Sequence, residues 1–293
     1  MNDSLDSIRK LFPPRSDKGH KTSFGSLLVV AGSDYMSGAA VLTVSAALRT
    51  GVGIVKILSS EKCLDAVRTN CPCALLGSYD QSGNLLHNLS SMLKGCTAAV
   101  IGPGLDVNDA RNKEILIFLI ENAPKLVIDA SALTILSSIG CECLKNRDTK
   151  RLAPVIMTPH VGEFKRLKKD AAGLNYDAFN ASEISVMTRP FATEYGAILV
   201  LKNFDTLITA PDGKCYYMYG GNSGMAKGGS GDVLTGIIGG LLASGLDPVD
   251  VAQAGVMIHT RAGKISAEEL TKLYMLPTDI IRNLPLVYKE LGW

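Results

Sequence analysis

No run of apolar residues in this sequence is long enough to span a bilayer as a helix, so no membrane partner is expected. The first ten residues, MNDSLDSIRK, are polar and mixed in charge, and no apolar core of a signal peptide follows them. The cytoplasm is the expected compartment. Neither sign of charge dominates: 30 Lys and Arg stand against 28 Asp and Glu, a net charge of +2. Without a basic stripe, nucleic acid is not an expected partner. Metal-ligand spacing is lacking too. Seven cysteines (Cys63, Cys71, Cys73, Cys96, Cys141, Cys143 and Cys215) are spread along the chain. An odd count without a signal peptide argues for reduced thiols. The pairs Cys71-Pro72-Cys73 and Cys141-Glu142-Cys143 have one-residue spacers and no histidine nearby, unlike zinc sites. No protein-borne metal site is expected. Long linkers, low-complexity tracts and internal repeats are also absent, so one domain is expected over residues 18–293, with residues 1–17 as an N-terminal arm or oligomer contact.

What is present is an alternation. Short apolar runs at 26–31, 53–58, 97–101, 125–129, 154–158 and 197–202 read as strands. Helical patterns at 38–48, 109–121 and 183–195 lie between them. This rhythm predicts an α/β fold with a mainly parallel sheet flanked by helices. It then changes. Residues 206–210 and 215–219, joined by Pro211-Asp212-Gly213, read as a late β-hairpin. A glycine-rich loop at 220–231 follows, then helices at about 232–243 and 249–266.

In open α/β sheets, ligands bind beyond the carboxyl ends of the strands. Those ends carry Gly32-Ser33-Asp34, Gly102-Pro103-Gly104, Asp129-Ala130-Ser131, Thr158-Pro159-His160 and Lys202-Asn203. The strongest single feature is GMAKGGSGD, residues 224–232, opening an apolar helix. A helix N-terminus offers unpaired N–H groups and partial positive charge to a phosphate. Glycines let the backbone approach the anion. Taken alone, the turn reads equally well as a structural turn with Asp232 as an ordinary N-cap. It is not a Walker A motif, because Lys227 precedes the glycines and no Gly-Lys-Ser/Thr follows.

The longer stretch GNSGMAKGGSGDVLTGIIGGLLASG resembles the anion-hole region of the ribokinase-like superfamily, and within it the ADP/ATP-dependent NAD(P)H-hydrate dehydratases. KTSFGSLLVVAGSDYMSGAAVLTVSAALRTGVG, IGPGL, TPHVGEFKRL and LKNFDTLI match that family in the same order, across residues 18–286. The chain departs from the family pattern at Ser131, Cys73 and Asn203, the first two on the substrate side; late in the chain it keeps the usual Thr278-Asp279.

The resemblance implies a ribokinase-like three-layer fold and repair of hydrated NADH or NADPH, with ADP or ATP as co-substrate and Mg2+ arriving with the nucleotide. Asp232 matches the catalytic base, and the N–H groups of Gly229, Ser230 and Gly231 match the anion hole. Ala39, Ala40, Gly102, Gly104, His160 and Asp232 match the substrate side. Lys202, Asn203, Phe204, Asp205, Thr206, Asn222 and Gly231 match the nucleotide side. Plain structural roles stand beside these: packing for Ala39 and Ala40, strand-end turns for Gly102 and Gly104, a loop turn for Asn222, a favourable first-turn charge for Glu163. The resemblance also implies a homo-oligomer, often a tetramer, working alongside a separate epimerase. A small-molecule kinase of the same superfamily is the nearest rival, since it would use the same Asp232 machinery. A nucleotide-binding regulator without chemistry is the other class.

Overall fold

The computed structural model describes residues 8–11, 15–80, 83–168 and 181–292. Among them nine strands form one sheet in the order β3-β2-β1-β4-β5-β6-β7-β8-β9. In chain order these are β1 (Ser26–Val30), β2 (Ile54–Ser59), β3 (Leu75–Ser78), β4 (Ala98–Ile101), β5 (Leu126–Ile128), β6 (Ile156–Met157), β7 (Ile198–Leu201), β8 (Thr206–Thr209) and β9 (Cys215–Met218). β1 to β7 run parallel, and β8 and β9 are added antiparallel at one edge. The expected α/β architecture and late hairpin are both observed. β3 and the helices Glu61–Asn70, Leu85–Leu93, Ala130–Ile139 and Pro277–Glu290 were not anticipated.

Both faces of the sheet are covered, which is why the strands read as continuous apolar runs. Side chains alternate strictly along each strand. Leu27, Val29, Ala98, Val100, Val127, Ile156, Ile198 and Val200 enter the core on one face. Leu28, Val30, Ala99, Ile101, Leu126, Ile128, Met157, Leu199 and Leu201 enter the core on the other. Each fully buried aliphatic side chain contributes about 1.5–3 kcal/mol.

The order of strands reverses between β1 and β4, so the crevice of the sheet opens there. Two small-residue helices sit over it. Ser37–Leu48 and Ser230–Ala243 make the most extensive helix contact of the fold. Glycine permits the approach: a Cβ on Gly236 would lie 2.3 Å from the Thr43 carbonyl oxygen, and one on Gly239 would lie 2.3 Å from Val100 Cγ2. The Ser230–Ala243 helix starts two residues earlier than expected, so Ser230 and Gly231 are already helical.

The expected N-terminal arm is described only at residues 8–11 and 15–17; the rest of it lies outside the described residues. Ile8 is buried in the core, and Arg9 Nε donates to the Leu291 carbonyl at 2.7 Å.

Candidate active site

The loop before the long glycine-rich helix is held from several sides. Asn222 caps the short 3-10 turn Ser223–Met225, its Oδ1 accepting from the Gly224 N–H at 2.9 Å. Its Nδ2 donates to the Gly263 carbonyl at 3.2 Å. Asn222 is therefore anchored as a turn residue on the long helix Pro248–Tyr274. Lys227 Nζ donates to the carbonyls of Leu273 and Met275, at 2.7 and 2.5 Å. That side chain is spent on the kink at Thr271 (φ 66°), where the long helix breaks.

The turn then delivers a helix N-terminus. Gly229 takes φ 99° as the residue before the helix, a conformation costly for any residue with a Cβ. A Cβ there would also lie 2.5 Å from Leu42 Cδ1. The Ser230 N–H is engaged by the Lys227 carbonyl at 3.2 Å, closing a tight turn. Its donation to an anion, expected from the motif, is therefore not available in this geometry. The N–H groups of Gly229, Gly231 and Asp232 have no acceptor among the described residues, as the first turn of a helix dictates. Space over Gly228 is open, with no atom within 4 Å of where its Cβ would be. The arrangement fits an anion: free donors, a positive helix end and a side-chain-free approach.

Charged groups converge beside it. Lys202 follows β7, and a Cβ on Gly231 would lie 3.4 Å from its Nζ. Lys202 Nζ donates to Asp129 Oδ1 at 2.8 Å. Asp129 Oδ2 accepts from Thr235 Oγ1 at 2.6 Å. Asp129 is buried just past β5, and the next residue, Ala130, sits in the left-handed region at φ 48°. A non-glycine residue there is uncommon and marks local strain. Burial pulls the Lys202 ammonium down, but the carboxylates of Asp129, Glu163 and Asp232 more than reverse it and hold it above the usual lysine value.

Asp232 lies in the first turn of the helix, half-buried. Burial pushes its carboxyl up to about 7; Asp129 and Glu163 add to the shift and Lys202 opposes it. Thr43 Oγ1 donates to the Asp232 carbonyl at 3.3 Å, tying its backbone to the Ser37–Leu48 helix.

His160 caps the helix Val161–Leu167: its Nδ1 accepts from the N–H groups of Gly162 and Glu163 at 3.0 and 3.3 Å. Those bonds leave the proton of the neutral ring on Nε2, a donor facing Glu163 Oε1 at 3.7 Å. Burial lowers the His160 pKa, with Lys202 and Arg166 adding to the effect and Glu163 opposing it. Glu163 Oε2 in turn accepts from the His160 N–H at 2.8 Å, completing a capping box. A backbone bridge between His160 and Lys202 sets these residues side by side.

Among the residues expected on the substrate side, Gly104 packs on the Ser37–Leu48 helix: its Cβ would lie 2.7 Å from Ala39 Cβ. Ala39 is partly exposed, whereas Ala40 is fully buried against Gly32. A Cβ on Gly102 would lie 1.8 Å from the Asp129 carbonyl oxygen, so glycine is required there for packing. Among the residues expected on the nucleotide side, Asn203 and Phe204 are exposed, and Thr206 is buried at the start of β8. Asp205 Oδ1 accepts from the Gly220 N–H at 3.3 Å, and Gly221 lies against the Phe204 carbonyl. The segments 202–206 and 220–222 are thus neighbours. Between the hairpin and the long helix lies a pocket of about 230 Å3, lined by Tyr219, Gly220, Met257, Thr260, Arg261 and Lys264. Short motifs gave no signal for it, because its residues come from a hairpin end and a helix far apart in sequence. Asp129 and Thr235 were also missed as a pair.

Among the described residues, no group of three or more His, Cys, Asp or Glu side chains is placed to hold a metal ion, and no helix is long and apolar enough to cross a membrane.

The sheet order, the late antiparallel hairpin and the similarities below place the chain among ribokinase-like α/β enzymes. The chain belongs to the NAD(P)H-hydrate dehydratase family, whose model matches residues 27–286. It is 31% identical over 289 residues to the ADP-dependent (S)-NAD(P)H-hydrate dehydratase of Bacillus subtilis, covering 97% of this chain and 96% of that protein. It is 32% identical to the bifunctional NAD(P)H-hydrate repair enzyme Nnr of Moorella thermoacetica, covering 97% of this chain but only 53% of that longer protein. The chain thus spans about half the length of its bifunctional relatives. The crystal structure of the B. subtilis ADP/ATP-dependent enzyme, co-crystallised with ATP and Mg2+, superposes with a TM-score of 0.81 at 28% identity, over 98% of this chain and 97% of that one.

Proposed function

We propose that this chain dehydrates the S form of hydrated NADH or NADPH with ADP or ATP as co-substrate, releasing NAD(P)H, phosphate and AMP or ADP. The observation that carries this is Asp232, a carboxylate held near neutrality beside an anion-binding helix end. A base poised near the working pH is suited to take a hydroxyl proton.

The chemistry runs in two stages. Asp232 accepts the proton of the ring hydroxyl, whose oxygen attacks the terminal phosphorus; the bond to the nucleotide's bridging oxygen breaks. The N–H groups of Gly229, Gly231 and Asp232, with Lys202, neutralise charge on the transferred group. The ring nitrogen's lone pair then expels phosphate, restoring the dihydropyridine double bond as the neighbouring proton leaves. Hydroxide would leave poorly, and phosphate leaves well. Mg2+ would accompany the nucleotide and keep most of its waters.

Gly104, Ala39 and the Nε2–H of His160 border the substrate side in this reading; Gly102 and Ala40 support it from within. Segment 202–206 and Asn222 shape the nucleotide side, and the pocket at Tyr219 and Lys264 is the candidate seat for the base. One domain, residues 18–293, carries the site. A homo-oligomer, a cytoplasmic address and a separate epimerase supplying the S form complete the proposal.

The test is direct. Hydrated NADH is incubated with ADP and, in parallel, with ATP. Absorbance in the NADH band should recover with stoichiometric phosphate. A stable phosphorylated product with no recovery would instead establish the kinase reading.

A further inference from the structure

Two carboxylates face the helix N-terminus, and only one is free to act as a base. Asp129 has one oxygen bound to Lys202 at 2.8 Å and the other to Thr235 at 2.6 Å, and it is 1% exposed. Thr235 stands three residues after Asp232, on the same side of the helix. Lys202 takes Asp129, not Asp232, as its ion-pair partner. An ammonium has three N–H donors, and Asp129 uses one. With its side chain 21% exposed beside Gly231, Lys202 keeps donors for a phosphate without breaking that pair.

We propose that Asp129 is a positioning residue for phosphoryl transfer: through its bridge to Thr235 it holds Lys202 beside the helix N-terminus and keeps it from pairing with the base Asp232. The backbone around it is closely constrained. Gly102 must lack a side chain to clear the Asp129 carbonyl, and Ala130 directly after it takes φ 48°. The groups facing Asp232 from neighbouring elements are Asp129, Lys202 and Glu163, with His160 beside the last two. His259, from the long helix, is buried beside the Ser230 backbone. Removing the Asp129 charge therefore withdraws a repulsion from Asp232 and frees a lysine to approach it. Both changes favour the ionised base.

This inference rests on Asp232 as the base, so its test includes readouts that do not need turnover. The Asp232 carboxyl is titrated by carbon-13 NMR of the aspartate-labelled protein, with Asp232→Asn assigning its signal, and nucleotide affinity is measured by calorimetry. In Asp129→Asn the Asp232 midpoint should fall by about one pH unit or more, and ADP should bind about tenfold more weakly. Thr235→Val should move both in the same directions by less, and Thr235→Ser should restore them. An unmoved Asp232 midpoint in a folded Asp129→Asn protein would overturn the proposal. Should Asp129→Asn fail to fold, Thr235→Val decides alone: wild-type midpoint and affinity overturn it. Failure of the wild-type protein to dehydrate hydrated NADH would sink the functional reading and leave these two readouts intact.

Discussion

In the proposed reaction Asp232 concentrates the chemistry in one side chain, and its environment would set the pH at which it works. Its carboxyl is raised to about 7 by burial, then by Asp129 and Glu163. A base must be ionised, so kcat/KM should rise with pH along an acid limb centred near 7. A limb centred near 4, the usual carboxylate range, would remove Asp232 from the rate equation. Asp232→Asn should lower kcat by roughly 10²–10⁴-fold while ADP still binds in calorimetry. Asp232 and Lys202 were legible in the sequence because ordered motifs surround them. The tie from Lys202 to Asp129 spans 73 residues and the tie from Thr235 spans 106, so no local spacing announces either. Ser230 shows the opposite limit. The motif marks it as a donor, but a turn within the motif consumes its N–H.

Elements built for closeness hold these residues in place. The Ser230–Ala243 helix has glycines where it meets the first helix and β4. Gly236→Ala would place a methyl 2.3 Å from the Thr43 carbonyl oxygen. Alanine's better helix propensity returns about 1 kcal/mol, but overpacking against backbone costs about 1–3. Net destabilisation should appear as a lower denaturant midpoint with unchanged slope. Arg147 plays a different structural part. It is buried, and its guanidinium donates to the carbonyls of Ile120, Ala123, Pro124 and Ala153. Those bonds join the C-terminal end of the Ala110–Asn122 helix to the approach to β6. Arg147→Met should destabilise the fold by about 3 kcal/mol or more in chemical denaturation, since several buried acceptors would lose their partner at once. The central strands were legible as short apolar runs because both faces of the sheet are covered. β3 was not: it is an edge strand with Leu75 exposed and Gly77 in its middle, which dilutes the pattern. The Pro277–Glu290 helix was hidden by its internal Pro285.

At the scale of the whole molecule, the strand order reverses between β1 and β4, and the antiparallel hairpin lies at the far edge of the sheet, beyond β7. The site therefore draws on segments from Gly104 to Asn222 and Asp232, which meet only in the folded chain. A ligand bound there recognises the native state and hardly the unfolded one, so it must stabilise folding. At a free ADP concentration a hundredfold above Kd the gain is about 2.7 kcal/mol. For a domain of this size that raises Tm by roughly 4–5 °C. Asp232→Asn should keep this shift, because it removes a proton acceptor and leaves the helix donors and Lys202 in place. Lys202→Ala should lose most of it at the same ADP concentration, because the phosphates then lack their cation. Thermal scans of the three proteins with and without ADP and Mg2+ read both expectations together. An equal shift in all three would mean that the nucleotide binds away from the Gly229–Asp232 turn, and the division of labour between Lys202 and Asp232 would have to be abandoned.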